Sequence, residues 1–243
     1  MDATPEELLQ LLELQKIDSA IDRLNARLRD LPEQAELEAL EEQLRALERE
    51  AGETQAALND VAIRQRRLDN EVDTIGQKIV MEETRLNSGD VSSARELSSL
   101  AAEVESLRRR RLKFEDDDLE VMEETEVLEK QMSTLSEQID QVRAAVDSTA
   151  KRRDEASRQV SEELEAARPR REHWASRTAA DLLGFYNDLR AAKGGVGAAA
   201  LSGSTCLGCH MQLPAQEVEH LRRTSGVVRC DECGRILIVT GKA

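Results

Sequence analysis

The residues of this chain best suited to chemistry are four cysteines. They stand as two pairs, Cys206-Leu-Gly-Cys209 and, after twenty intervening residues, Cys230-Asp-Glu-Cys233-Gly234. Two such pairs at this separation fit one tetrahedral Zn2+ held by four thiolates, a closed structural site. Each pair must sit on a tight turn so that backbone amides can point at the sulfurs, and Gly208 and Gly234 let the chain curl there. Other chemistries fit less well. Cys206-x-x-Cys209-His210 has the form of a covalent haem attachment, which normally follows export and would leave the second pair unmatched. A redox pair of thioredoxin type needs a βαβ setting that the segment lacks. Catalytic zinc needs an open coordination position, and four thiolates leave none, so His210 and His220 read as surface residues.

Short elements must hold these turns. Residues 198–202, 226–229 and 235–240 read as strands, and Pro214 at a first helical position opens a short helix over 215–223. About fifty residues bury little apolar area, so one structural Zn2+ is expected to supply the folding free energy, on the order of 10 kcal/mol or more.

The first 193 residues are of another kind. Leu, Ala, Glu, Arg and Gln dominate, and the whole chain has only four aromatic residues, Phe114, Trp174, Phe185 and Tyr186, which favours long helices over an aromatic core. From Leu37 to Leu86 apolar residues recur every three or four positions, with Thr54, Gln65 and Glu82 the only polar members among fifteen. A spacing of 3.5 residues held this long requires a helix packed on a partner. The partner series starts at Leu97 and runs to Val160. Between them Asn87-Ser-Gly-Asp90 is a turn signal, and Ser93 with Glu96 forms a candidate capping box. Folding the series about this turn pairs Gln65 with Asp118 in mid-arm. An earlier run, Leu14 to Leu31, is out of phase with the later one, and the break falls at Pro32.

The expected fold is therefore mainly α. A long antiparallel coiled-coil helical hairpin over residues 1–193, kinked near Pro32, with its tip at about 87–93 and a bend at Pro169, precedes a C-terminal four-cysteine zinc ribbon with short β-strands over 194–243. Three of the four aromatics fall after Pro169, where a helix should pack near the ribbon, and His173 and Trp174 read as packing residues. Lys193-Gly-Gly-Val-Gly197 reads as a helix stop and a hinge or tight turn.

Net charge is −15, divided as −16 over residues 1–193 and +1 over 194–243. The hairpin is thus a poor polyanion binder, and RNA or DNA is expected only at the ribbon, through Arg222, Arg223, Arg229, Arg235 and Lys242. The Arg108 to Arg111 run and the acidic 115–118 run read as solvated helix faces, the alternative being that the acidic stretch docks a basic partner. Protein partners are expected on the coiled coil or at its polar tip, Ser88, Asp90, Ser93, Arg95 and Glu96. No Ser/His/Asp set, phosphate-binding glycine loop or carboxylate-histidine cluster is present, so no enzymatic activity is expected. With neither an export signal nor a membrane span, the expectation is a cytoplasmic protein, monomeric or weakly dimeric.

With these parts assembled, the chain resembles the bacterial four-cysteine zinc-ribbon, coiled-coil family that includes a flagellar-regulatory protein. The likeness is carried by LLELQKIDSAIDRL, SGDVSSARELSSLAAEVESL, FEDDDLEVMEE, LLGFYNDLR, CLGCHMQLP and VVRCDECGRILIV. It implies that Cys206, Cys209, Cys230 and Cys233 are the zinc ligands. It also implies messenger-RNA binding and sigma-factor protection, the activities suggested for the flagellar member. Where many members carry Asn-Pro-Lys-Glu-Leu at the tip, this chain has Ser93-Ala94-Arg95-Glu96-Leu97, without the proline. These features describe a non-enzymatic regulatory or adaptor protein associated with nucleic acid through its ribbon. The alternative is a chaperone-like scaffold that binds only proteins.

Overall fold

A computed structural model describes residues 2–89, 91, 93–224 and 226–239. The elements in chain order are α1 (Pro5–Arg29), α2 (Pro32–Asn87), α3 (Ala94–Ala175), α4 (Ala180–Ala192), β1 (Ala198–Ser202), β2 (Thr205–Cys206), α5 (Ala215–Arg223) and β3 (Ile236–Val239). Their contacts divide the chain into two compact units, residues 36–149 on one hand and residues 1–35 with 150–243 on the other. Within the second unit, the ribbon shares a core with α1 and α4.

The unit of residues 36–149 is the hairpin. All fifteen seam positions from Leu37 to Leu86 are buried or half-buried, and of the facing series from Leu97 to Thr149 only Arg111 is exposed. Ile75, Ile79 and Val104 form a buried cluster with Leu107 and Phe114 against it. Ion pairs Arg64–Glu124, Arg110–Glu71 (3.8 Å) and Arg143–Glu48 (3.2 Å) tie one arm to the other. These exposed pairs set register more than stability.

In mid-arm, one carboxylate oxygen of Asp118 is buried without a hydrogen bond among the described residues. Burial first, and the negative charge of Asp69 second, raise its pKa above the ordinary Asp value. A raised folded-state pKa means that this group's stabilising contribution is present at low pH and is lost as pH rises through that value. Asp118→Asn should therefore stabilise the hairpin at pH 7 by roughly 0.5 kcal/mol, the scale of a like-charge helix pair. The advantage should shrink as pH falls through the carboxylate range, as paired thermal melts at pH 7 and pH 4 would show.

In the other unit, α1 opens with a capping box. The Thr4 side chain accepts from the Glu7 amide at 3.2 Å, the Thr4 amide donates to Glu7 at 2.8 Å, and Pro5 fills the first helical position. The helix stops at Arg29, and Pro32 starts the next one, so the proline marks an interruption where its missing N–H costs nothing. Pro169 does not end α3, which runs six residues further to Ala175. The helix forgoes one backbone bond there and continues.

The ribbon sheet has the order β2-β1-β3, with β1 antiparallel to β2 and parallel to β3. Its two faces alternate with period two. Ala198, Ile236 and Ile238 join Leu11 and Leu14 of α1 and Leu182, Tyr186 and Leu189 of α4, with Trp174 and Phe185 against this core. Ala199, Leu201 and Leu237 face the other way, onto Leu213, Val218 and Leu221 and the cysteines. Residues 226–229, expected as a strand, supply only an isolated bridge from Arg229 to Ile236.

Candidate metal centre

The two cysteine turns share one geometry. Cys206 ends β2, its amide donates to the Met211 carbonyl (3.0 Å), and its carbonyl accepts from the His210 amide (2.8 Å). Cys230 repeats this: its amide donates to the Arg235 carbonyl (2.9 Å), and its carbonyl accepts from Gly234 (2.7 Å). The residue after the second cysteine is left-handed in both turns, at φ 61° for His210 and 74° for Gly234. Glycine adopts this without penalty, whereas His210 bears a cost of about 1 kcal/mol.

The pairing of the turns brings all four sulfur atoms within 4.8 Å of one another, with Cys206 and Cys230 buried and Cys209 and Cys233 half-buried. Four thiolates at about 2.3 Å from a tetrahedral Zn2+ would lie about 3.8 Å apart. The Cys209 and Cys230 sulfurs, at 4.0 Å, are close to that already. The donor set therefore fits one structural zinc. Burial raises the Cys206 thiol against the amides of Gly208 and Cys209, and raises Cys230 to about 12 against those of Cys233 and Glu232. At Cys233 burial is outweighed by the Arg235 amide and side chain and by neighbouring thiols, and the group falls to about 7. Metal-free protein thus keeps protons on Cys206 and Cys230 at neutral pH, and zinc must expel them. The apparent affinity should rise at least about a hundredfold per pH unit near pH 7, since at least the protons of Cys206 and Cys230 are displaced, as competition with a chromogenic chelator at pH 6, 7 and 8 would measure.

The expected nucleic-acid residues are placed differently from one another. Arg235 donates from its side chain to the carbonyls of Val196 and Lys193, both at 2.9 Å. Arg229 donates to the Gly234 carbonyl at 2.7 Å and lies over the Phe185 ring. Arg223 pairs with Glu219, and Arg222 is exposed on α5. Lys242 lies outside the described residues, as does Asp90 of the tip. Ser88 donates to the Arg85 carbonyl at 3.0 Å, the Ser93 carbonyl accepts from the Leu97 amide at 3.0 Å, and Arg95 and Glu96 are exposed. His210 and His220 are exposed, and His173 contacts Arg177.

A polar network that sequence reasoning missed fastens the ribbon to α1 and α4. The Gln15 carbonyl oxygen accepts from the amides of Gly197 (2.7 Å) and Ala198 (3.1 Å), while its nitrogen donates to the Gly195 carbonyl (3.0 Å). Buried Asp18 accepts from Arg171 (2.6 Å) and from the Tyr186 hydroxyl (2.8 Å), and Arg190 bonds Asp22 (2.6 Å). Segment 193–197 is therefore hydrogen-bonded on both sides, by Gln15 and by Arg235. A Cβ on Gly197 would stand 2.7 Å from the Tyr186 carbonyl.

Comparison with known proteins agrees with this architecture. Residues 14–194 match the model of the CT398-like coiled coil hairpin domain, and residues 205–237 match that of a C4-type zinc ribbon domain. The Mycobacterium tuberculosis protein Rv2229c is 29% identical over 240 residues, covering 98% of this chain and 97% of its own. A Mycobacterium smegmatis structure aligns with a TM-score of 0.85 at 26% identity, covering 99% of this chain and 100% of the other. CT398 from Chlamydia trachomatis aligns at 0.73 with 20% identity, over 97% and 98% of the two chains, and shows the same fold.

Proposed function

Since this chain belongs to the CT398-like coiled-coil hairpin family with a C4-type zinc ribbon, we propose that it is a non-enzymatic cytoplasmic adaptor whose hairpin binds protein. Its zinc ribbon acts as a structural module. The observation that carries this reading is the hairpin exterior. Once the seam is closed, Ile63, Leu112, Leu119, Met122 and Val127 remain exposed, Val127 at 66%. Exposed large apolar side chains grouped on a helical arm suit a protein-binding surface. Four thiolates close the metal's coordination shell, so the zinc offers no position to a substrate. No helix among the described residues is long and apolar enough to cross a membrane.

A second reading, nucleic-acid association through the ribbon, rests on α5. Arg222 and Arg223 line an open groove of ≈ 670 Å³ with Gly203, Ser204, Leu213 and Glu219. Arg229 and Arg235 are occupied with backbone carbonyls, which leaves this reading two arginines beside an acidic residue. Cross-linking and affinity capture of zinc-loaded protein, with and without nuclease, decides between them. The adaptor reading expects a protein complex that survives nuclease and is lost on changing the hairpin surface. A complex that disappears with nuclease, together with salt-sensitive RNA binding abolished by Arg222→Glu/Arg223→Glu, would replace it with the second.

A further inference from the structure

Near the middle of α3 the outward face is apolar within an acidic field. Leu112 and Leu119 are seven residues apart and so share one face, and Met122, three residues on, adjoins Leu119. They are 59%, 58% and 44% exposed. Isolated apolar side chains on a surface are ordinary, but three along one stripe of a solvated helix are not. Around them, residues 112–129 hold nine carboxylates and a single lysine, a net charge of −8.

Leu119 is also the apolar rim of a groove between the arms. Asp69, Val72 and Asp73 of α2 and Glu115, Asp118 and Leu119 of α3 enclose ≈ 560 Å³. Its lining has four carboxylates, of which Glu115 is already paired with Arg111 at 2.8 Å. Asp118 contributes an oxygen that is buried without a hydrogen bond among the described residues. The free hairpin is thus destabilised by a carboxylate that an incoming guanidinium or ammonium would satisfy.

We propose that this face, Leu112, Leu119 and Met122 beside the carboxylates of Asp69, Asp73 and Asp118, docks a basic amphipathic α-helix of a protein partner. The inference rests on the adaptor reading and specifies its surface. Apolar side chains on the partner cover the stripe, and Lys or Arg on the flank of that helix enter the groove. Nucleic acid does not suit a face of this sign. In the chain's own run of four arginines, 108–111, three are committed, Arg108 to Glu83, Arg110 to Glu71 and Arg111 to Glu115, and self-association is an outcome of the test below.

The test uses full-length zinc-loaded protein and a fluorescent helix of leucine and lysine with its leucines on one face. A scrambled peptide of the same composition and charge is the control. Anisotropy should show binding of the amphipathic peptide that weakens with added salt, and roughly tenfold weaker binding of the scrambled one. Leu112→Ser/Leu119→Ser/Met122→Ser, all at exposed positions, should weaken binding by about tenfold or more with an unchanged circular dichroism melt. Asp69→Asn/Asp118→Asn should weaken binding and flatten its salt dependence. Equal binding of the two peptides, no loss in the triple variant, or a dimer that sediments as such and dissociates in that variant would each overturn the proposal. If the nuclease-resistant complex of the preceding test forms as well with the triple variant, the adaptor reading stands and this surface is wrong. If no such complex forms with wild-type protein, the adaptor reading itself fails.

Discussion

Chelating the zinc at neutral pH should unfold the cysteine side of the ribbon while its opposite face stays in place. The cysteine side consists of the two turns, α5 and a core of Ala199, Leu201, Leu213, Val218, Leu221 and Leu237 around the sulfurs. Six aliphatic side chains are too small a core to hold this segment alone, so the metal, at on the order of 10 kcal/mol, decides whether this half exists. The opposite face has its own support. Ile236, Ile238 and Ala198 are buried against Leu11, Leu14, Leu182 and Tyr186, contacts in which no cysteine takes part. Amide exchange should lose protection over residues 203–235 and at Leu237, whose amide donates to the Val228 carbonyl, on chelation, while Ile236, whose amide donates to the Gly197 carbonyl, and the N-terminal part of α1 keep theirs. Trp174, packed on the metal-independent core, should hold its fluorescence maximum. Cys230→Ala should reproduce the pattern without chelator. Loss of protection throughout residues 1–35 together with the ribbon would show instead that the two cores melt as one.

The second large effect is expected far from the metal. Asp18 is 1% exposed and accepts from Arg171 and Tyr186, with Arg190 3.6 Å from the same carboxylate. Removing it strands the Arg171 guanidinium and the Tyr186 hydroxyl, while Arg190 keeps its bond to Asp22. Breaking a buried ion pair from one side costs 3–5 kcal/mol, and because Arg171 and Arg190 keep partial access to water we expect Asp18→Ala at about 3 kcal/mol. Tyr186→Phe removes one hydrogen bond and leaves the ion pairs, for a loss of about 1 kcal/mol. Burial, and then the Asp18 carboxylate, raise the pKa of that hydroxyl, so it remains a donor at all ordinary pH values. Urea unfolding followed by Trp174 fluorescence separates the two. Equal and small losses would mean that water replaces the carboxylate and the network adds no rigidity.

Much of this architecture was legible in the residues because it rests on local repeats. The period of 3.5 between Leu37 and Leu86 is a property of the chain alone, and every one of those positions lies on the buried side. The zinc ligands are equally local, since each Cys-x-x-Cys turn closes on its own backbone. Pro32 was readable because a missing donor limits where a helix can run through. Pro169 lies inside α3, where the helix forgoes one backbone bond and continues on its remaining hydrogen bonds.

What the chain by itself determined is therefore the periodic and the covalent: two helical arms, the turn between them, and a quartet of sulfurs at metal-binding spacing. Only the tertiary structure decided which polar side chains went inside. Gln15 and Asp18 occupy ordinary helical positions and become buried because α4 and the 195–198 backbone arrive carrying matching donors from about 180 residues away along the chain. Arg229 and Arg235, which by charge belong with phosphate, are drawn instead to carbonyls left open by tight turns. Hydrophobic period is written along one segment, whereas the satisfaction of a buried polar atom depends on partners distant in sequence, and no single segment records it.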